Sequence, residues 1–215
     1  MKPARRVTVA GGAITPFIGK FHPDFIWKKH PDFGKKENPT LEQYIHQVAL
    51  EACQNVGIDP TLVDRGYVGN FVGELFSNQG HLGSMASAAS EGFTYTPFTR
   101  VEGACASGGL GIAAGVDAIQ AGADIVLVIG AEVQTTRNAK EGADFLARAS
   151  HYETERGLDP FTFPVLHPCL PFGTLGSGDT NRSPCARSSV GNSMHCDLPY
   201  DCHSRGNPNV GNSHQ

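Results

Sequence analysis

The chain predicts an α/β layered fold in which a mostly parallel sheet is flanked by helices. From Arg5 to about Leu166, strand and helix signals alternate in the order β-α-β-α-β-α-β. Right-handed crossovers turn that order into parallel neighbours. Residues 124–131 (DIVLVIGA) are apolar on both faces, as in the middle of a sheet covered by helices on either side. The segment before them, residues 105–121, is a helix of small residues suited to packing closely on a sheet. A chain of 215 residues holds one substantial domain with a core, or one domain plus a tail.

The elements follow in order. Residues 5–10 read as a short buried strand ending at Gly11-Gly12. Residues 16–39 are polar, aromatic and punctuated by Pro and Gly, which predicts a long surface excursion. Residues 40–56 form an amphipathic helix in which Thr40 caps the start and Gln43 completes a capping box. Leu41, Tyr44, Ile45, Val48 and Ala52 make its apolar stripe, and Gly57 stops it. Residues 65–71 are a second strand, and the Ala/Ser/Gly-rich residues 80–91 a tightly packed helix. Residues 98–102 are the third strand, residues 105–121 its following helix, and residues 124–131 the fourth strand; residues from about 132 to 166 read as loop.

After Leu166 the composition changes. Residues 167–215 contain no Lys, Glu, Ile or Trp, show neither a 2.0 nor a 3.6 period, and hold four of the six cysteines (Cys169, Cys185, Cys196, Cys202). Such a stretch buries too little apolar surface to offset its ordering entropy. It reads as a disordered tail, or as the product of an alternative reading frame.

A formal net charge of −4 with 18% charged residues leaves no basic footprint for nucleic acid. No apolar run is long enough to cross a bilayer. The start, Met1-Lys2-Pro3-Ala4-Arg5-Arg6, lacks the apolar core of a secretory signal, and Ser213-His214-Gln215 is not a peroxisomal address. Six cysteines without an export signal read as free thiols in a reducing compartment.

The chemistry centres on Cys105-Ala106-Ser107-Gly108-Gly109, where a strand turns into a helix. A thiol there points at the first free backbone N–H groups and the positive end of the helix dipole, a setting that favours the nucleophilic thiolate. The small residues after it leave room for substrate and close backbone approach; the bland reading is a small cysteine packed between helix and sheet. Gly109, Gly111 and Gly115, with Glu132 about twenty residues on, loosely match a dinucleotide-binding fingerprint, but the spacing is not G-x-G-x-x-G. His195-Cys196 and Cys202-His203 have irregular spacing for zinc and read as chance clustering, so no metal is expected. His81 reads as a solvent-facing helix-start residue or as a polar group near a pocket. Lys28-Lys29-His30 with Lys35-Lys36 reads as a solvated loop or as an attractor for a phosphate-bearing ligand such as coenzyme A.

Residues 101–111 (VEGACASGGLG) resemble the nucleophile motif of thiolases. With Gly130-Ala131-Glu132-Val133-Gln134-Thr135-Thr136 the similarity is to sterol-carrier-protein-2-type thiolases and thiolase-like proteins. Further matches lie at residues 12–17, 69–71, 145–151 and 159–164, so the resemblance covers about residues 5–166. It implies two similar halves, each with a five-stranded mixed sheet, stacked helix–sheet–helix–sheet–helix. It also implies a dimer in which the strand at 98–102 pairs with its twin, and Cys105 as the residue that takes an acyl group from acyl-CoA as a thioester. Coenzyme A is then part of the substrate, and no separate cofactor is implied.

The activating histidine and second cysteine of the thiolase second half have no counterpart here, and His167-Pro168 imitates the histidine motif only superficially. The fifth strand of the first sheet also belongs beyond the point of divergence. The resulting expectation is an acyl-CoA C-acyltransferase domain, incomplete at residues 1–166, that acylates weakly or not at all on its own. The alternatives are a non-catalytic subunit that associates with itself or with a full-length thiolase chain, and a dinucleotide-binding domain. The resemblance implies an intracellular setting, mitochondrial or peroxisomal; it leaves the other substrate-binding residues unknown.

Overall fold

The computed structural model describes residues 5–156. Helix α1 spans Leu41–Val56. The Thr40 hydroxyl accepts the Gln43 amide at 3.2 Å, and the Gln43 side chain accepts the Thr40 amide at 2.8 Å. Two of the orphan donors at the helix start are thereby satisfied. Gly57 ends the helix at φ 67°, a left-handed conformation that costs glycine little. The buried face is Leu41, Ile45, Ala49 and Cys53, an i, i+4 row into which the expected stripe enters only in part.

Strand β1 (Arg65–Gly69) is central in a three-stranded sheet, with β2 (Phe98–Val101) on one side and β3 (Val126–Gly130) on the other. Both pairings are parallel, with Tyr67 opposite Thr99 and Val128. Between β1 and β2 lie the short helices α2 (Gly73–Ser77) and α3 (Leu82–Ser87), and between β2 and β3 lies α4 (Ser107–Gln120). Helix α3 is shorter than the expected 80–91, because a separate 3₁₀ turn, Glu91–Phe93, follows it.

Adjacent residues of a strand point to opposite faces, which assigns the layers. Val68 and Ile129 belong to a core with Leu41, Ile45, Ala49, Leu82, Ala86 and Phe93, so α1 and α3 cover that face. Val128, next to Ile129, meets α4 on the other face. A Cβ on Gly111 would lie 3.0 Å from Val128, and one on Gly115 3.2 Å from it. The β1-to-β2 and β2-to-β3 connections run in opposite directions on opposite faces, so they share one hand. The glycines considered for a dinucleotide loop lie inside α4, where Gly111 and Gly115 let the helix settle onto the sheet and Gly109 faces open space.

Two expectations are corrected. Residues 5–10 form no strand: Val9 is 92% exposed and the segment has no ladder partner. Its ends are tied to opposite faces of the sheet. The Arg5 amide donates to Gln120 at 3.0 Å near the end of α4, while Gly12 accepts from Asn55 at 3.0 Å at the end of α1. A segment stretched between those anchors passes β3 without pairing with it. For the same reason β3 is an edge strand among the described residues, and not the middle strand that its apolar sequence suggested; Val126, Leu127 and Val128 are only half-buried.

Residues 16–39 are an irregular excursion held by turns and by Asn38, whose side chain bonds both the amide and the carbonyl of Ile26 at 2.9 Å. Within the stretch expected as loop, helix α5 (Ala139–Leu146) forms behind an Asn138/Glu141 capping box, followed by a turn at Ala147–Ala149 and the single-turn α6 (Tyr152–Glu155). Phe145 packs edge-on against Phe76, with ring centroids 5.1 Å apart. The expectations for residues 157–215, including the tail and its Cys/His pairs, lie outside the described residues.

Candidate active site

All three strands end at one side of the sheet, and the segments that leave those ends meet there. After β1 come Asn70, Phe71 and Val72; after β2 come Glu102 to Cys105; after β3 come Ala131 and Glu132. In open parallel sheets this carboxyl-end side is where ligands bind.

Asn70 is 1% exposed and joins two of these segments. Its side-chain amide donates to the Ala131 carbonyl at 2.8 Å, and its oxygen accepts the Gly73 amide at 2.9 Å. Glu132 reinforces the join by accepting the Phe71 amide at 2.9 Å. The residue as a whole is exposed, but its carboxyl is turned against that loop. Loss of water there raises the carboxyl above its ordinary range, although the Phe71 and Val72 amides and Arg100 pull the other way. Arg100, from β2, donates to the Phe71 carbonyl at 2.8 Å and pairs with Glu74. Desolvation works against ionisation of Glu74, but the hydrogen bond and charge of Arg100 outweigh it and hold that carboxyl below its usual value. Phe71, Val72, Glu74, Leu75, Arg100, Glu102 and Arg148 line an open cavity of about 630 Å³. Cys105 is not among its lining residues.

Cys105 stands in a single 3₁₀ turn, Ala104–Ala106, immediately before α4, and it is exposed. Ala104 has φ 50°, one of three described non-glycine residues at positive φ. A side chain in that region costs on the order of 1 kcal/mol or more, so the surroundings must hold it. Glu102 accepts the Ala104 amide at 2.6 Å. The Ser107 hydroxyl donates to the Ala104 carbonyl at 2.7 Å and accepts the Gly103 amide at 3.0 Å. Beneath the turn, a Cβ on Gly69 would lie 2.7 Å from the Ser107 carbonyl oxygen, so β1 has to end in glycine for α4 to start where it does. Cys53, the other cysteine among the described residues, is buried in the core, and burial together with Asp59 holds its thiol above the ordinary value.

Neither His81 nor the lysines of residues 28–36 line the cavity at the strand ends. His81 starts α3 at φ 52° and is exposed. Lys28, Lys29, Lys35 and Lys36 belong to the 16–39 excursion. Sequence reasoning named Ser107 only as a small residue of the motif and Asn70 only within the matched stretch 69–71, and it gave neither these two nor Arg100 a supporting role. Asn directly after a strand, or Ser two residues past a strand-to-helix cysteine, was the available signal.

A family model for the thiolase N-terminal domain matches residues 31–158. The chain belongs to the thiolase family. An acetyl-CoA acetyltransferase of Methanothermobacter thermautotrophicus is 35% identical over 147 residues, covering 68% of this chain and 37% of that protein. A second acetyl-CoA acetyltransferase, from Methanocaldococcus jannaschii, is 38% identical over 124 residues, 57% of this chain and 31% of the relative. The benzoylsuccinyl-CoA thiolase subunit BbsB of Thauera aromatica is 34% identical over 111 residues, 51% of this chain and 27% of that subunit. The chain thus spans about a third of the length of these thiolases. The family's N-terminal domain agrees with the parallel α/β sheet described above. No helix among the described residues is long and apolar enough to cross a membrane.

Proposed function

We propose that this chain performs the first half of a thiolase reaction, moving the acyl group of an acyl-CoA onto Cys105. The exposed sulfur in the held turn at the start of α4 is the observation that carries this reading. The Cys105 thiolate attacks the thioester carbonyl carbon, a new C–S bond forms, the bond to the coenzyme A sulfur breaks, and the coenzyme A thiolate leaves to be protonated by water. Glycine-rich surroundings at Gly108 and Gly109, where an added Cβ would meet nothing within 4 Å, leave space for the pantetheine arm.

Turnover needs more than this step. General acid–base assistance contributes about a hundred- to ten-thousand-fold, and an oxyanion donor a comparable factor. The resemblance assigns the histidine and second cysteine to a second half, and this chain spans 37% of its archaeal relative. Residues 1–215 taken by themselves are expected to form the thioester at Cys105 slowly and not to cleave acetoacetyl-CoA. Incubating the purified chain with labelled acetyl-CoA and mapping the label by mass spectrometry should place it on Cys105. Cys105→Ser should abolish it. Label distributed over other cysteines, or robust acetoacetyl-CoA cleavage, overturns the reading.

A second reading is favoured by the outer side of β3, which is unpaired among the described residues: a non-catalytic subunit that recruits a second copy or a full-length thiolase chain. An apolar open edge is a template for another strand. A clean monomer by size-exclusion chromatography across protein concentrations argues against it.

A further inference from the structure

We infer that Ser107 is a positioning residue for Cys105, acting through its hydroxyl on the backbone that carries the nucleophile; this rests on the functional reading above. Among the described residues only two polar side chains are classed as buried, Asn70 and Ser107. The Asn70 side chain holds loops together. The Ser107 hydroxyl instead brackets the Gly103-Ala104 dipeptide, accepting the Gly103 amide at 3.0 Å and donating to the Ala104 carbonyl at 2.7 Å. The Ala104 carbonyl also accepts the Ser107 amide, so its direction is fixed twice. Residue 104 is the one held at φ 50°, and the next residue is Cys105.

The clamp is itself anchored, because the Ser107 backbone sits directly on the bare Gly69 at the end of β1. Sheet, helix start and nucleophile turn are thus coupled through one buried hydroxyl. Without it, only the Glu102 carboxylate on the Ala104 amide and the Ser107 amide on the Ala104 carbonyl still oppose relaxation of the positive φ. A shift of Ala104 toward the right-handed region redirects the chain and swings the sulfur away from the start of α4. Loss of placement of about 1 Å costs up to a hundredfold in a reaction that needs alignment.

The test compares the full chain with Ser107→Ala, Ser107→Thr and Ser107→Val. Thr and Val have nearly the same shape, so a difference between them isolates the hydroxyl. Iodoacetamide alkylation of Cys105 is followed by site-resolved mass spectrometry, with the buried Cys53 as a check that each variant is folded. Acetyl-CoA labelling is run in parallel. Ala and Val should alkylate Cys105 roughly two- to fivefold more slowly, a smaller effect than on acyl transfer because alkylation needs access more than alignment. Both should lose acetyl labelling by tenfold or more, up to about a hundredfold. Thr should stay within about twofold of wild type on both readouts, since it keeps the hydroxyl. Wild-type alkylation rates in Ala and Val overturn the inference, as do equal losses in Thr and Val, which make the effect one of shape alone. Wild-type protein that alkylates at Cys105 yet takes no acetyl group overturns the functional reading instead, and the alkylation series still decides the role of Ser107.

Discussion

Glu132 shows how a single carboxyl links the strand ends to pH. Its hydrogen bonds to the loop after β1 favour the ionised form, but desolvation wins and the folded carboxyl titrates above the ordinary value near 4.5. Between the unfolded and folded values, the native state keeps a proton that the unfolded chain has lost. Stability therefore falls as pH rises through that window and levels off above it. Glu132→Gln removes the titration. It also leaves one amide without its acceptor, a cost that does not vary with pH. The stability of the variant minus that of wild type should rise as pH increases upward from about 4.5, measured by urea unfolding at several pH values. A flat or falling difference sinks the argument. Asp64, Glu74 and Asp144 are held below their ordinary values and act in the opposite sense in both proteins, so they cancel from the difference.

At the scale of elements, α1 and α5 start with the same device in different settings. Thr40/Gln43 and Asn138/Glu141 are both complete capping boxes. Helix α1 contributes four side chains to the core cluster, whereas α5 buries only Ala143. Thr40→Ala should therefore cost about 1 kcal/mol of global stability, a melting shift of about 2–4 °C. Asn138→Ala should loosen α5 locally, with faster amide exchange over residues 139–146 and little change in the melting temperature. Equal global losses would mean that α5 belongs to the same cooperative unit as α1. The same pair marks what could be read in advance. The box at Thr40 preceded a visible apolar stripe, so the helix was legible; the box at Asn138 preceded AKEGADFL, whose apolar face is too thin to announce a helix. The strand-to-helix turn that carries Cys105 was legible because small residues followed a strand. The hydroxyl and carboxamide that hold its surroundings were not, since Asn70 and Ser107 act on backbone groups that only the fold brings near. Residues 5–10 misled because a β-rich sequence specifies a strand only where a neighbour offers a ladder.

At the scale of the whole molecule, the described residues leave two kinds of surface that a self-contained α/β domain normally covers. Helix α4 turns Leu110 and Ile112 outward, 45% and 59% exposed, and among the described residues β3, like β2 at the other edge, has an unpaired side. Which of them would carry the proposed association follows from hydrogen-bond parity. The Ala131 amide bonds the Gly69 carbonyl at 3.1 Å, so odd-numbered residues of β3 face β1 and the amides of Val126, Val128 and Gly130 face outward. Backbone groups unpaired beside apolar side chains favour another strand more strongly than a helix face dotted with glycine does. Gly130 is exposed, and a Cβ added there meets nothing within 4 Å. Gly130→Pro should therefore remove one outward donor and place a ring in the path of an incoming strand while leaving the β1 ladder intact. By size-exclusion chromatography at matched concentrations, this variant should elute later than wild type, closer to a monomer, and Ile112→Lys should elute as wild type does. The reverse pattern would move the contact from the edge of the sheet to the outer face of α4.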